Sequence, residues 1–131
     1  MQFTSSTIQI RDIEESDINF ILSTWLLGLY HGCEWFSRIE KKVFFDNYKK
    51  IVTQRIMNGN VKVAVLAEDP DVILGYIVYR ENVLDWIFVK KAFRKLGIAK
   101  ILIPKSINTV THLTKVGRSL KPKDWSFNPF I

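Results

Sequence analysis

The chain has 131 residues, of which 47% are hydrophobic, 13% aromatic and 24% charged, the balance of one folded domain and not of a disordered or low-complexity chain. One cysteine, Cys33, excludes a disulfide scaffold and suits a reducing compartment; with only two widely spaced histidines, His31 and His112, no metal site is expected. The net charge of +6 is uneven: residues 1–79 carry 8 Lys/Arg against 10 Asp/Glu, and residues 80–131 carry 11 against 3, so the second part is a +8 surface suited to a phosphate-bearing cofactor, a nucleic acid or an acidic partner, or simply to solvent.

Residues 1–6 have neither a basic region nor an apolar core, so no signal peptide is expected. The most apolar stretch, Phe20 to Tyr30, is interrupted by Ser23, Thr24 and Gly28 and is too short for a membrane span. No membrane partner is expected, and the expected location is the cytoplasm.

Ile8 to Ile13 alternates apolar and polar residues, the period of a half-buried strand. Ser16-Asp17 then offers a helix cap. Ile18, Ile21, Leu22, Trp25, Leu26 and Leu29 follow at helical spacing, and Tyr30 to Trp35 breaks the pattern. A second helix is expected from about Arg38 to Met57, with Val43, Phe44, Tyr48, Ile51, Val52 and Ile56 as its apolar stripe and Asn58-Gly59-Asn60 as its end. Val61 to Ala67 and Val72 to Arg80 read as two strands joined by a Glu68-Asp69-Pro70-Asp71 turn. Glu81-Asn82 is a tight turn before a third strand, Val83 to Val89.

Next comes a basic loop, Lys90 to Leu96, and a helix from Gly97 to about Asn108 that ends or distorts near Pro104. Thr109 to Thr114 is a further short strand. The tail is basic, then aromatic from Asp124 to Ile131, and is expected to pack back as a final strand or onto a second subunit in a homodimer. The order is β-α-α-β-β-β-α-β plus the aromatic segment, a mixed α/β fold in a single domain spanning residues 1–131.

The strongest local signal is the strand–loop–helix passage Trp86 to Lys100. A glycine at the helix start lets a ligand approach the backbone, and the unpaired N–H groups of the first turn favour an anion. Arg94, Lys95 and Lys100 add positive charge, so the passage suits a phosphate or pyrophosphate. The plainer reading, a tight turn with solvated basic residues, stays open on this fragment.

Arg94-Lys95-Leu96-Gly97-Ile98-Ala99 resembles the Arg/Gln-x-x-Gly-x-Gly/Ala pyrophosphate motif of the GNAT superfamily of acetyl-CoA-dependent N-acetyltransferases. Val89-Lys90-Lys91-Ala92-Phe93-Arg94 is similar to the family's approach to that loop. Ile10-Arg11 with Asp17, and Ile73-Leu74-Gly75-Tyr76, sit where the family has its first strand–helix junction and third strand. The order of elements agrees from residue 7 to about 114.

The resemblance implies a mostly antiparallel sheet flanked by helices, with a fourth strand that splays from the fifth. It implies that acetyl-CoA, the acetyl donor, lies in that gap along Ile87, Phe88 and Val89. Its pyrophosphate would meet Arg94 and the amides of Lys95, Leu96, Gly97, Ile98, Ala99 and Lys100. An amine on a small molecule or protein would then attack directly, with a backbone N–H near Phe88 or Val89 facing the developing negative charge.

Such an amine must lose a proton. Asp85 is the first candidate base, since strict alternation puts it on the face of Val83, Ile87 and Val89; the plainer reading is an ion-paired Asp. His112 is the second candidate, set against a hydrogen-bonded structural role. Glu34 lies in the loop that borders the acceptor site in this family and is expected to bind the amine; Trp35, with Phe36, is expected to shape the acceptor pocket or to cap the core. After the fifth strand the chain has room only for residues 115–131. The family's fourth helix, its acid Tyr and its final hairpin do not all fit there, and the four tyrosines all lie upstream. This keeps open a non-catalytic protein on the same fold, which holds CoA structurally or uses its basic half to bind nucleic acid or a protein. Nucleic acid is not favoured, as no recognition helix is evident.

Overall fold

The computed structural model describes residues 7–112, 114 and 121–131. Its strands are β1 (Ile8–Asp12), β2 (Asn60–Leu66), β3 (Asp69–Arg80), β4 (Val83–Val89), β5 (Thr109–Val110) and β6 (Ser126–Phe127). Its α-helices are α1 (Ile18–Gly32), α2 (Glu34–Ser37), α3 (Lys41–Asn58) and α4 (Ile98–Leu102). The six strands form one sheet in chain order. β1 to β4 are antiparallel neighbours, while β4–β5 and β5–β6 are parallel. The mixed sheet flanked by helices is the architecture expected from the sequence, and the tail from Asp124 supplies its last strand.

The β-branched run Val61, Val63 and Val65 turns one face of β2 to α1 and α3. There it packs on Ile21, Trp25 and Leu29 of α1 and on Phe44, Val52 and Ile56 of α3. The opposite face, built by Ala64, Leu74, Ile77 and Leu84, is covered by Ile98 and Leu102 of α4 with Ile107 and Val110. Tyr76 ties α1 to β3: its buried hydroxyl lies 3.1 Å from the Ile21 carbonyl and 2.7 Å from Thr24 Oγ1. Arg11 clamps the β1–α1 junction through a two-point ion pair with Asp17 (2.6 and 3.0 Å).

Several boundaries differ from the sequence reading, each for a local reason. α1 runs on through His31 to Gly32, because its i→i−4 ladder continues to Cys33 N–H on the Leu29 carbonyl. The loop expected over residues 30–35 therefore shrinks, and Glu34 opens a separate one-turn helix. In α3 the buried stripe is Phe44, Val52 and Ile56 with Tyr48 partly covered, an i,i+4 row. Val43 and Ile51 lie about 100° off that row and face solvent.

The β2–β3 turn is only Ala67-Glu68, since Leu66 already pairs with Asp69, and Pro70 falls inside the start of β3. α4 is five residues long and stops two residues before Pro104. β5 keeps two ladder residues, and part of the expected Thr109–Thr114 strand, residue 113, lies outside the described residues, as do residues 1–6 and the basic start of the tail at 115–120. No helix among the described residues is long and apolar enough to cross a membrane.

Candidate functional site: the parting of β4 and β5

β4 and β5 pair only at Val83–Thr109 and Leu84–Val110. One more bond follows, from Thr111 N–H to the Leu84 carbonyl (3.1 Å), and the described ladder ends there. The rest of β4 continues along β3. Lys90 N–H donates to the Leu74 carbonyl (2.9 Å), and Tyr76 pairs with Phe88 and Ile77 with Ile87. Alternation in an antiparallel pair therefore turns the amide groups of Phe88 toward β3 and those of Ile87 and Val89 away from it, to the side of the gap. Of the two oxyanion donors expected from sequence, Phe88 is thus committed to β3, and the Val89 amide points away from β3 and has no partner among the described strands. The Phe88 side chain lies on the α1 face against Phe20 and Tyr76.

The basic loop is folded onto the end of β4. Arg94 Nε donates to the Val89 carbonyl at 3.0 Å. Lys95 and Gly97 both take left-handed backbone, φ 68° and 82°. These two residues lie between the end of β4 and α4, and at Gly97 the conformation is one L side chains adopt with strain. A Cβ placed on Gly97 would meet nothing within 4 Å, so the space beside its Cα is open. The first α4 bond runs from Ile101 N–H to the Gly97 carbonyl, which leaves the first-turn amides of Ile98, Ala99 and Lys100 without helical acceptors. Ile98 and Leu102 anchor the turn in the core, while Lys95, Leu96 and Lys100 are exposed. The cradle and its charge fit a pyrophosphate group.

Asp85 is placed differently from the sequence expectation. The register steps at this point: Val78 pairs with Trp86 but Tyr79 pairs with Leu84, so Asp85 is an extra residue with no partner on β3. This bulge breaks the alternation and turns the Asp85 side chain toward α3, away from Ile87 and Val89, which line the α4 face. Its carboxylate is buried. Arg80 grips both oxygens (Nε–Oδ2 2.8 Å, Nη2–Oδ1 3.0 Å), Thr111 Oγ1 donates to Oδ1 (3.0 Å), and Arg55 Nε stands 3.9 Å away. Pairing with Asp85 raises the Arg80 guanidinium further above its usual range. Arg55 and Arg80 also both donate to the Ile131 carbonyl (2.8 and 3.1 Å), which fastens the tail under β4. Asp85 is the carboxylate of a buried ion-pair network, in line with the plainer sequence reading, and it does not share the face of Ile87 and Val89 on which the candidate base was expected.

His112 stands where the two strands part. Its Nδ1 lies 3.2 Å from the Asp85 main-chain carbonyl and 2.9 Å from Thr111 Oγ1. The ring meets Trp25, Trp86 and Tyr48 edge-on at centroid distances of 6.1, 6.4 and 6.3 Å. Burial pushes its pKa below the usual histidine value; Asp85 pulls the other way, and Arg55 adds to the lowering. Burial thus favours the neutral form of the His112 imidazole.

Glu34 and Trp35 sit on α2, well away from burial. Glu34 pairs with Arg38 at 3.2 Å and both are about two-thirds exposed, while Trp35 is 72% exposed. Phe36, beside them, points inward onto Phe44 and Tyr48. Among the described residues, no three His, Cys, Asp or Glu side chains gather to hold a metal ion.

The sequence reading missed the aromatic floor of this site. Trp86 lies flat on Trp25 (5.8 Å, 8° between planes). A Cβ on Gly28 would come within 3.0 Å of the Trp86 ring, so the bare helix face at Gly28 is what admits the indole. The indole N–H of Trp25 is buried without an acceptor among the described residues. A glycine three residues after Trp25 in an otherwise strong helix was the available signal. Thr111 and Arg80 were missed too, because nothing local in sequence marks the bulge that gathers them on Asp85.

The family model for an acetyltransferase (GNAT) domain matches residues 32–118, about two thirds of the chain. No curated protein matches the sequence. Among solved structures, a putative acetyltransferase from Pyrococcus furiosus superposes with a TM-score of 0.59 at 17% identity, over 92% of this chain and 79% of that one. The apo form of YjaB from Escherichia coli gives 0.52 at 16% identity over 72% and 60%. A GCN5-related N-acetyltransferase from Kribbella flavida gives 0.52 at 18% over 76% and 62%. This chain thus spans about three-fifths of the length of the Escherichia coli protein. At these identities the likeness is one of fold.

Proposed function

The chain belongs to the GNAT acetyltransferase family, and from that premise we propose that it transfers an acetyl group from acetyl-CoA to a primary amine, which attacks directly. The observation that carries this reading is the juxtaposition of two features. Among the described residues β4 pairs with β5 only as far as Leu84, and the open left-handed turn at Gly97 lies beyond the end of the strand edge left without a described partner. The amides of Ile87 and Val89 offer main-chain pairing for the pantetheine arm. Gly97 to Lys100, with the positive charge of Lys95 and Lys100, would hold the pyrophosphate. Arg94 keeps the loop on β4 through the Val89 carbonyl.

Bound there, acetyl-CoA supplies the acetyl group as an activated thioester. The Val89 N–H is the donor placed for developing negative charge, a contribution of about 3–4 kcal/mol in comparable sites. His112 is the proton acceptor: neutral, at the mouth of the strand gap, and within the aromatic floor of Trp25, Trp86 and Tyr48. It takes the proton that the attacking amine loses and returns it to solvent. The exposed carboxylate of Glu34, with Trp35 beside it, would draw a cationic acceptor toward α2.

Release of CoA thiol with a panel of amines (a polyamine, an amino acid, an aminoglycoside, a lysine peptide) tests the reading. Steady release with any of them, lost in His112→Gln, supports it. Binding of acetyl-CoA without release for any amine would favour instead the second reading, a GNAT-fold protein that holds CoA without turnover. One observation favours that alternative: the hydroxyls of Tyr30 and Tyr76 are committed to the Ile39 and Ile21 carbonyls, so neither is poised to protonate a leaving thiolate.

A further inference from the structure

We propose that Thr111 is a positioning residue that fixes the tautomer of His112, so that Nδ1 carries the proton and Nε2 is the basic nitrogen. The inference deepens the reading of His112 as proton acceptor and rests on it for its catalytic meaning, but the tautomer itself follows from the hydrogen bonds alone.

The hydroxyl of Thr111 has one proton and is buried, with 3% of the residue exposed. Oγ1 lies 3.0 Å from Asp85 Oδ1. Asp85, gripped by Arg80 at both oxygens, is a carboxylate and only accepts. The single Thr111 proton must therefore lie toward Asp85. Oγ1 is left only as an acceptor on its other side, and there it meets His112 Nδ1 at 2.9 Å. The second neighbour of Nδ1 is the Asp85 main-chain carbonyl at 3.2 Å, which also only accepts. Both contacts require an N–H at Nδ1. A neutral imidazole holds one ring proton, so Nε2 keeps the lone pair.

The β4 bulge is what assembles this. Because Asp85 has no partner on β3, its side chain reaches Thr111 and its carbonyl reaches His112. Arg80 thus orients Asp85, Asp85 orients Thr111, and Thr111 orients the ring. When the amine's proton moves to Nε2, the imidazolium formed still donates from Nδ1 to the same two acceptors, beside the Asp85 charge. Among the described residues, Arg55 on α3, 3.9 Å from that carboxylate, and the half-buried phenol of Tyr48 also face the site.

Long-range ¹H–¹⁵N correlation of the ¹⁵N-histidine-labelled protein at pH 8 reads the tautomer without any acceptor or cofactor. His31→Gln removes the second histidine signal. The expected spectrum has a protonated, pyrrole-type Nδ1 and a pyridine-type Nε2. In Thr111→Val, which keeps shape but removes the hydroxyl, the Nε2–H form should become clearly populated, and Thr111→Ser should restore the original spectrum. With acceptor present, Thr111→Val should lower kcat tenfold or more, within the ~10²–10⁴ that a positioned base contributes, with KM little changed, and Thr111→Ser should recover most of it. An Nε2–H signal in the unsubstituted protein would overturn the proposal; that spectrum alone decides it should Thr111→Val fail to fold. An unchanged tautomer in folded Thr111→Val would overturn it as well, since the Asp85 carbonyl would then suffice. If the tautomer shifts as expected but His112→Gln turns over normally, Thr111 positions the ring as proposed and the failure is that of His112 as base.

Discussion

Asp85 and Arg80 form a two-point ion pair, 2.8 and 3.0 Å, at the one place where β4 carries a residue that β3 does not match. A bulge that turns a carboxylate into a protein interior must supply it with a cation, and the neighbouring strand end does so. Asp85→Asn should therefore act first on stability. It leaves Arg80, about a third exposed, and Arg55 without their shared partner. The expected loss is about 2–3 kcal/mol, below the full figure for a buried pair because solvent reaches Arg80. Urea unfolding measures it, and because the Asp85 charge opposes the lowering of the His112 pKa, its loss should move the acid limb set by His112 to lower pH.

Gly97→Ala separates fold from cofactor. No atom lies where the new Cβ would go, so the only folding cost is the left-handed backbone, about 1–2 kcal/mol. Gly97→Val puts bulk into the space assigned to the pyrophosphate. Isothermal titration should show acetyl-CoA affinity reduced at least tenfold in Gly97→Val, with a smaller loss in Gly97→Ala.

Gly28→Ala tests the aromatic floor. The substitution gains about 1 kcal/mol of helix propensity, but its Cβ would sit 3.0 Å from the Trp86 ring. Trp86 is backed by Trp25 in a near-parallel stack and has little room to yield. Overpacking of this kind costs about 1–3 kcal/mol, so the net effect is expected to be destabilising by about 1 kcal/mol. Thermal or urea unfolding gives the sign, and a changed tryptophan emission would report displacement of the stack.

These elements also divide what was readable in the chain from what was not. The β-branched run at Val61 to Val65, the stripe of α1 and the Arg94 to Ala99 passage each carry their structure in a few neighbouring residues, so strand, helix and loop were legible. The placement of Asp85 was not. Strict alternation from Ile87 puts it on the wrong face, because the bulge is set by how β3 and β4 pair, a relation between residues 78–80 and 83–86 that no local pattern announces. Val43 and Ile51 were read into the α3 stripe for a similar reason: apolar residues one position off an i,i+4 row look contiguous in sequence and diverge on the cylinder. His112 was visible as a candidate, but its partners Thr111 and the Asp85 carbonyl depend on that same bulge.

The lowered His112 pKa gives a signed pH effect. Below about pH 6.5 the unfolded chain protonates this ring while the folded chain resists it, so stability rises with pH through that window and is lost as pH falls. Above it the folded and unfolded rings are both neutral and the contribution vanishes. Urea unfolding at pH 5.5 and 7.5 should show the acid-side loss in the unsubstituted protein and a smaller one in His112→Gln. Equal losses in both would assign the acid sensitivity to other groups.

The most direct test of acetyl-CoA in the β4–β5 gap is a titration followed by amide chemical shifts on the ¹⁵N-labelled protein. Saturable binding is expected, with the largest changes at Ile87, Val89 and Gly97 to Lys100, the strand edge without a partner among the described residues and the turn whose amides lack helical acceptors. Small changes only are expected at Phe88, whose amide is committed to β3. No binding at about 1 mM, weaker than ~4 kcal/mol, or saturable binding that leaves Ile87, Val89 and the Gly97 turn unmoved, would contradict it.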